Sequence, residues 1–268
     1  MNFQIIPLKE LSKQLPDALQ EFFSFNGTES ANAVKRIQSF TSGFIPELWV
    51  EIESNYVDKL YRDAYYNYYS SKLNEYKRDC IRLSFFAGEI TLDDFFTDKS
   101  AERLQNLFRG FMVIRPTPRN VIGRNVLHPS IIQKPKEYKV SVATFSACVY
   151  GIKLTVTGFP HSSQDEEFMV CAETTIWSTM EYFSTRYPEY HPILPRSIHK
   201  ILANIIMERQ ASHQGKNQHQ CNLILEPGFK YMYFTCTASS PLQYSAAAPL
   251  TFWHNSPSQY QQAFQAPI

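Results

Sequence analysis

Apolar residues recur at helical spacing over residues 8–24, where Leu8, Leu11, Leu15, Leu19 and Phe22 share one face. A second helix is expected over 28–40, with Thr28 as its cap and Val34 and Ile37 in its apolar stripe. Leu48-Trp-Val-Glu-Ile-Glu53 alternates as a strand does. Val57 to Leu73 mixes tyrosines with Lys, Arg and Asp and reads as an amphipathic helix. Ile81 to Phe86 is strand-like, and a short helix over Ala101–Phe108 feeds a strong strand candidate, Gly110–Arg115. Pro116-Thr-Pro-Arg-Asn breaks the pattern, and the chain from there to Lys136 reads as irregular, with Pro129 and Pro135. Tyr138–Val149 and Gly151–Gly158 then read as a hairpin turning at Tyr150-Gly151. A helix opens at Cys171 with Ala172, Ile176, Met180 and Phe183 as its stripe, and closes near Arg186-Tyr187-Pro188. Arg196–Glu208 carries Ile198, Ile201, Leu202, Ile205 and Ile206 at helical spacing. No internal repeat is visible.

Composition narrows the class. With 268 residues, 44% of them hydrophobic, the chain can bury the core of one large or two modest domains. Aromatics at 15% suit a mixed fold with strands. A net charge of +1 gives no global electrostatic case for nucleic acid or an anionic membrane. The tyrosine-rich stretch with Arg62, Lys72, Tyr76 and Lys77 could stack on single-stranded nucleic acid, but Asp63, Glu75 and Asp79 interrupt it, and a solvated amphipathic helix is the better reading. No signal-type apolar run follows Met1 and no stretch approaches a membrane span, so a soluble, cytoplasmic protein is expected. The five cysteines (Cys80, Cys148, Cys171, Cys221, Cys236) are scattered with no C-x-x-C pair, which argues for reduced thiols and against a zinc site. There is no phosphate-binding glycine loop and no G-x-S-x-G elbow, and no cofactor is called for. From Tyr231 to Ile268 there is no Lys, Arg, Asp or Glu. That run reads as a disordered or loosely packed extension, with a truncated chain or a lost reading frame as the sharper alternative.

The chemistry concentrates at Cys171. A thiol at a helix N-terminus can have a lowered pKa, because the helix dipole favours the thiolate. Gln164, seven residues upstream, supplies an amide able to hold an oxyanion, and Asp165-Glu-Glu167 marks a polar loop that would expose the site. The ordinary role of a lone helical cysteine is inert core packing, and Glu166, Glu167 and Glu173 would raise its pKa. A thiol nucleophile also needs a base. His128, His161, His191, His199, His213, His219 and His254 are all candidates, and sequence does not choose among them. His199 reads most simply as a surface or packing residue and His161 as a solvated loop histidine. His213 and His219 suggest a metal pair but lack a further ligand beyond Cys221. His254-Asn255 would suit a Cys/His/Asn set but lies in the uncharged tail.

The run Gly158-Phe-Pro-His-Ser-Ser-Gln-Asp, followed by Val-Cys-Ala-Glu-Thr-Thr-Ile-Trp177, resembles the nucleophile segment of papain-like cysteine peptidases. It is most similar to the bacteriocin-processing type that cleaves double-glycine leaders. Gly110–Pro116 and Val121–Arg124 are similar to the upstream part of bacterial proteins carrying such a domain. The resemblance spans roughly residues 110–210. It implies Cys171 as nucleophile, Gln164 as oxyanion donor and a peptide or protein substrate; the charge and hydropathy already read above call for no nucleic acid and no membrane as partner. It also implies a histidine on a following strand, and nothing after Lys200 matches one. The expected fold is α+β: an N-terminal mixed region over 1–133, a hairpin and the helical half of a papain-like domain over 134–230, and an irregular tail over 231–268. The alternative to a peptidase is a non-catalytic module that keeps the scaffold for protein contacts.

Overall fold

Seven strands build one curled antiparallel sheet: β1 (Phe3–Pro7), β2 (Trp49–Tyr56), β3 (Cys80–Phe86), β4 (Phe108–Ile114), β5 (Ile122–Leu127), β6 (Ala143–Val149) and β7 (Ile152–His161). The computed structural model describes residues 3–97, 100–133, 140–169, 171–204, 218–223 and 232–237; at 171, 172 and 202–204 and in the last two segments, only the backbone is described. The strand order is β1-β2-β3-β4-β5-β7-β6. Six helices accompany the sheet among the described residues: α1 (Leu11–Phe23), α2 (Gly27–Thr41), α3 (Lys59–Asn67), α4 (Ala101–Leu107), α5 (Cys171–Arg186) and α6 (Pro195–Asn204). The protein is therefore α+β.

Alternation along the strands divides the core in two. Val50, Ile52, Ile81, Leu83, Phe85, Met112 and Ile114 face α1 and α2, whose Leu11, Leu15, Leu19, Phe23, Val34 and Ile37 complete one cluster. Residues of opposite parity, among them Cys80, Phe86, Phe111, Val113 and Val126, face Tyr61, Tyr69, Phe95 and Leu104 and the inner residues Phe145, Val149, Leu154 and Val156 of β6 and β7. The sheet curls so that the β6–β7 hairpin covers its own inner face. Arg82 on β3 crosses the gap and donates from Nη2 to the Cys148 carbonyl on β6 at 2.6 Å. A third cluster joins Leu60 of α3, Met169 ahead of α5, Ile176, Trp177 and Met180 within α5, and Ile198 of α6.

Several expectations are corrected. The stretch 120–136, read as irregular, contains β5, a strand between β4 and β7. Gly123 and Asn125 depress its strand propensity, but each has a local reason to be there. A Cβ on Gly123 would come within 2.9 Å of Arg115 Cγ, and Asn125 Nδ2 lies 3.1 Å from His161 Nδ1. The α2 cap is Asn26, not Thr28: Asn26 Oδ1 accepts the Glu29 N–H at 2.9 Å, and Glu29 Oε2 accepts the Asn26 N–H at 2.9 Å. The helix expected over 57–73 ends at Asn67 and continues as a single 3-10 turn, Tyr69–Ser71. Its Tyr61 and Tyr69 are core residues rather than stacking platforms. The hairpin turns at Tyr150-Gly151 as expected, with φ of 49° and 83°, the two left-handed residues that a tight hairpin turn requires. The division placed at 133 falls in the connection between β5 and β6 of this continuous sheet. Within 231–268, β9 (Met232–Thr237) pairs antiparallel with β8 (Gln218–Leu223). The rest of 231–268 lies outside the described residues.

Candidate functional site

The segment from His161 to Met169 leads from the end of β7 toward α5, and buried polar contacts fix its course. Arg115, at the end of β4 and 2% exposed, donates from Nη2 to the carbonyls of Ile122 at 2.8 Å, Ser163 at 3.1 Å and Asn120 at 3.2 Å. Asn120 Nδ2 donates to the Gln164 carbonyl at 2.8 Å. Asp165 is 1% exposed, and its Oδ1 accepts the N–H groups of Glu167 (3.0 Å), Phe168 (2.8 Å) and Met169 (2.8 Å). An aspartate folding back on amides two to four residues ahead is the local signature of a turn. Glu166 takes up the reversal with φ of 66°, a left-handed conformation that side chains other than glycine seldom adopt. Met169 is then buried among α3, α5 and α6, which pins the backbone just ahead of the helix.

The two residues implied by the resemblance stand at either end of this turn. Cys171 is the first residue of α5, as expected. Gln164 is exposed at the loop's start, tied down through its backbone. A pair that sequence reading separated is made by the same helix, α5. Glu173, in the first turn of α5 and 6% exposed, places Oε1 3.3 Å from His199 Nε2 of α6. The His199 ring stacks on Phe168 at a centroid distance of 4.5 Å and an interplanar angle of 13°. His199 therefore has a loop ring stacked on it and, on its Nε2 side, a carboxylate of the helix that Cys171 opens, close by but not hydrogen-bonded to it. No sequence signal short of the packing of α5 on α6 marks it as different from the other histidines.

Those others divide by environment. His161 lies beside Asn125, and burial and then the Arg115 charge hold its imidazole down to about 4, so it is neutral near pH 7. His128 Nδ1 accepts the Ser130 N–H at 3.1 Å and lies 2.7 Å from Ser130 Oγ; burial and Arg109 lower its pKa. The His213–His219 pair and the His254-Asn255 candidate lie outside the side chains described. Among the described residues no group of three or more His, Cys, Asp or Glu could hold a metal ion. None of their helices is long and apolar enough to cross a membrane.

A second concentration of charge, also missed in the sequence, lies on the inner face of the sheet. Glu51 of β2 is 0% exposed, and neither carboxylate oxygen has a hydrogen-bond partner in good geometry. It stands opposite Ser84 in register. Burial pushes its carboxyl up to about 7 against the opposing pull of Arg82. Arg82, itself 2% exposed, pairs with Glu53 Oε2 at 2.5 Å and lies over the Tyr56 ring at 4.5 Å. Glu53 is likewise raised, first by burial.

Comparison adds no relative to this geometry: no protein-family model matches the chain, and neither a curated protein nor a solved structure shows significant similarity to it.

Proposed function

We propose that the start of α5 is a thiol-nucleophile site acting on a peptide or amide carbonyl, with Cys171 as nucleophile, Gln164 as oxyanion donor and His199 as base, oriented by Glu173. The observation that carries this reading is the His199–Glu173 pair at 3.3 Å, made by the first turn of the helix that Cys171 opens. A base held by a third group is the general requirement for activating such a nucleophile. In the reaction His199 takes the thiol proton and the sulfur bonds to the carbonyl carbon. The carbonyl π electrons move onto oxygen, where the Gln164 amide and the Cys171 N–H receive them. Collapse breaks the C–N bond, with the proton passing from His199 to the leaving amine, and water then hydrolyses the thioester. The papain-like likeness enters here only as a likeness of the segment from Gln164 through α5.

The second reading, a non-catalytic protein-binding module, is favoured by one feature: Gln164 and Glu166 are both exposed on a loop fixed from beneath. Alkylation separates the two. With iodoacetamide near neutral pH, a catalytic Cys171 is modified about tenfold or more faster than exposed Cys148, while Cys80, whose thiol burial pushes up, stays unreactive. His199→Ala abolishes the advantage of Cys171. Modification of Cys171 at the Cys148 rate, unchanged by His199→Ala, overturns the thiol reading and leaves the binding module.

A further inference from the structure

Beside the Glu166 turn a cleft of about 630 Å³ opens between α2 and the loop that follows β4, lined by Glu29, Asn32, Lys35, Arg36, Pro118, Arg119 and Glu166. Three cations reach it from two separate elements: Lys35 and Arg36 from α2, Arg119 from the loop. All three are exposed. Their existing partners are weak. Arg36 meets Glu166 at 3.6 Å, Arg119 meets Glu167 at 3.8 Å, and Lys35 has no ion pair among the described residues. Long ion pairs in water hold little energy, and a better-placed carboxylate displaces them. Of the two carboxylates in the lining, Glu29 is committed to the Asn26 N–H at 2.9 Å.

The walls are fixed in advance. Arg115, Asn120 and Asp165 anchor the 163–169 backbone from within, so binding here does not first have to order the loop. We propose that this cleft recognises an acidic segment of a polypeptide, with Lys35, Arg36 and Arg119 taking its carboxylates. Glu29 and Glu166 sit between the cations, which disfavours the unbroken charge of a nucleic-acid backbone and suits carboxylates spaced along a chain. The inference does not rest on the thiol reading.

The test is fluorescence anisotropy with three labelled probes: a tetraglutamate peptide, a tetralysine peptide and a short oligothymidylate. Tetraglutamate is expected to bind and to weaken as salt rises. Lys35→Glu with Arg119→Glu weakens it about tenfold or more, while Cys171→Ser leaves it unchanged. Both reversed positions are exposed, and an unchanged urea midpoint confirms that the double variant folds. Absence of tetraglutamate binding, binding indifferent to the double reversal, or tighter oligothymidylate binding that the reversal removes would each overturn the proposal.

Discussion

Replacing Glu51 by Gln should make the protein less sensitive to alkali. The carboxyl is 0% exposed and titrates at about 7 in the folded state, against an ordinary value of 4.5. Below pH 4.5 it is neutral in both states, and its contribution to stability is complete. As the pH rises, the unfolded chain releases the proton while the folded protein keeps it, so stability falls until the pH passes about 7 and is flat thereafter. At about 1.36 kcal/mol per pH unit, the interval from 4.5 to about 7 corresponds to about 3 kcal/mol. Arg82 pulls in the opposite direction and is already included in that position. Gln has the same shape and no charge to bury, so Glu51→Gln should lack this loss. The Ser84 hydroxyl stands opposite this position in register.

Urea unfolding followed by tryptophan fluorescence measures the effect, because Trp49 shares β2 with Glu51 and Trp177 is buried in α5. The stability difference, variant minus wild type, should move in the variant's favour by about 3 kcal/mol between mildly acid pH and about pH 8. A difference that stays constant across that range refutes the argument, whatever its absolute size. Glu53, raised first by its own burial, is present in both proteins, and its repulsion of Glu51 is already included in the Glu51 position.

Two further expectations concern the backbone. Gly110 has φ of 114°, and a Cβ there would be driven into the Val126 carbonyl oxygen, so Gly110→Ala should cost about 3 kcal/mol or more; Gly151, with φ of 83° and open space around it, should cost about 1 kcal/mol as Gly151→Ala. Thermal unfolding of the pair checks this, and equal losses would refute it. Asp165→Ala removes the acceptor of three N–H groups and should speed amide hydrogen exchange at Glu167, Phe168 and Met169, with Asp165→Asn restoring much of the protection. Unchanged protection in the alanine variant would show that the turn is held by other contacts.

The sequence made long periodic elements legible because one face of each meets one core. The stripe Leu11, Leu15, Leu19 is buried at 3%, 0% and 0%, as its spacing implies. β5 escaped because its residues answer to neighbours distant in the chain: Gly123 yields room to Arg115, and Asn125 contacts His161. β2 shows a different failure. Alternation at 48–53 implies a strand half in water. Yet Glu51 is sealed, because the β6–β7 hairpin folds over the polar face, and Arg82 reaches across to the Cys148 carbonyl. A curl of the sheet has no period in the sequence, so a buried charge made by it has none either.

The candidate site was legible only in part, and the missing part alters its electrostatics. Read along the chain, Glu166, Glu167 and Glu173 are three negative charges crowding one thiol, an argument against a thiolate. In space each has a partner drawn from elsewhere. Glu166 faces Arg36 of α2. Glu167 accepts from the Tyr76 hydroxyl at 3.0 Å and faces Arg119 at 3.8 Å. Glu173 faces His199 of α6. With Glu166 and Glu167 facing arginines, the field at the start of α5 is less negative than a count of acids implies, and the carboxylate nearest Cys171 in sequence is the one that faces a histidine. Glu173→Gln should then act through His199: if the proposed site operates, the pH midpoint of Cys171 alkylation moves without a matching change at Cys148. A midpoint that stays in place would show that the glutamate and histidine serve packing alone.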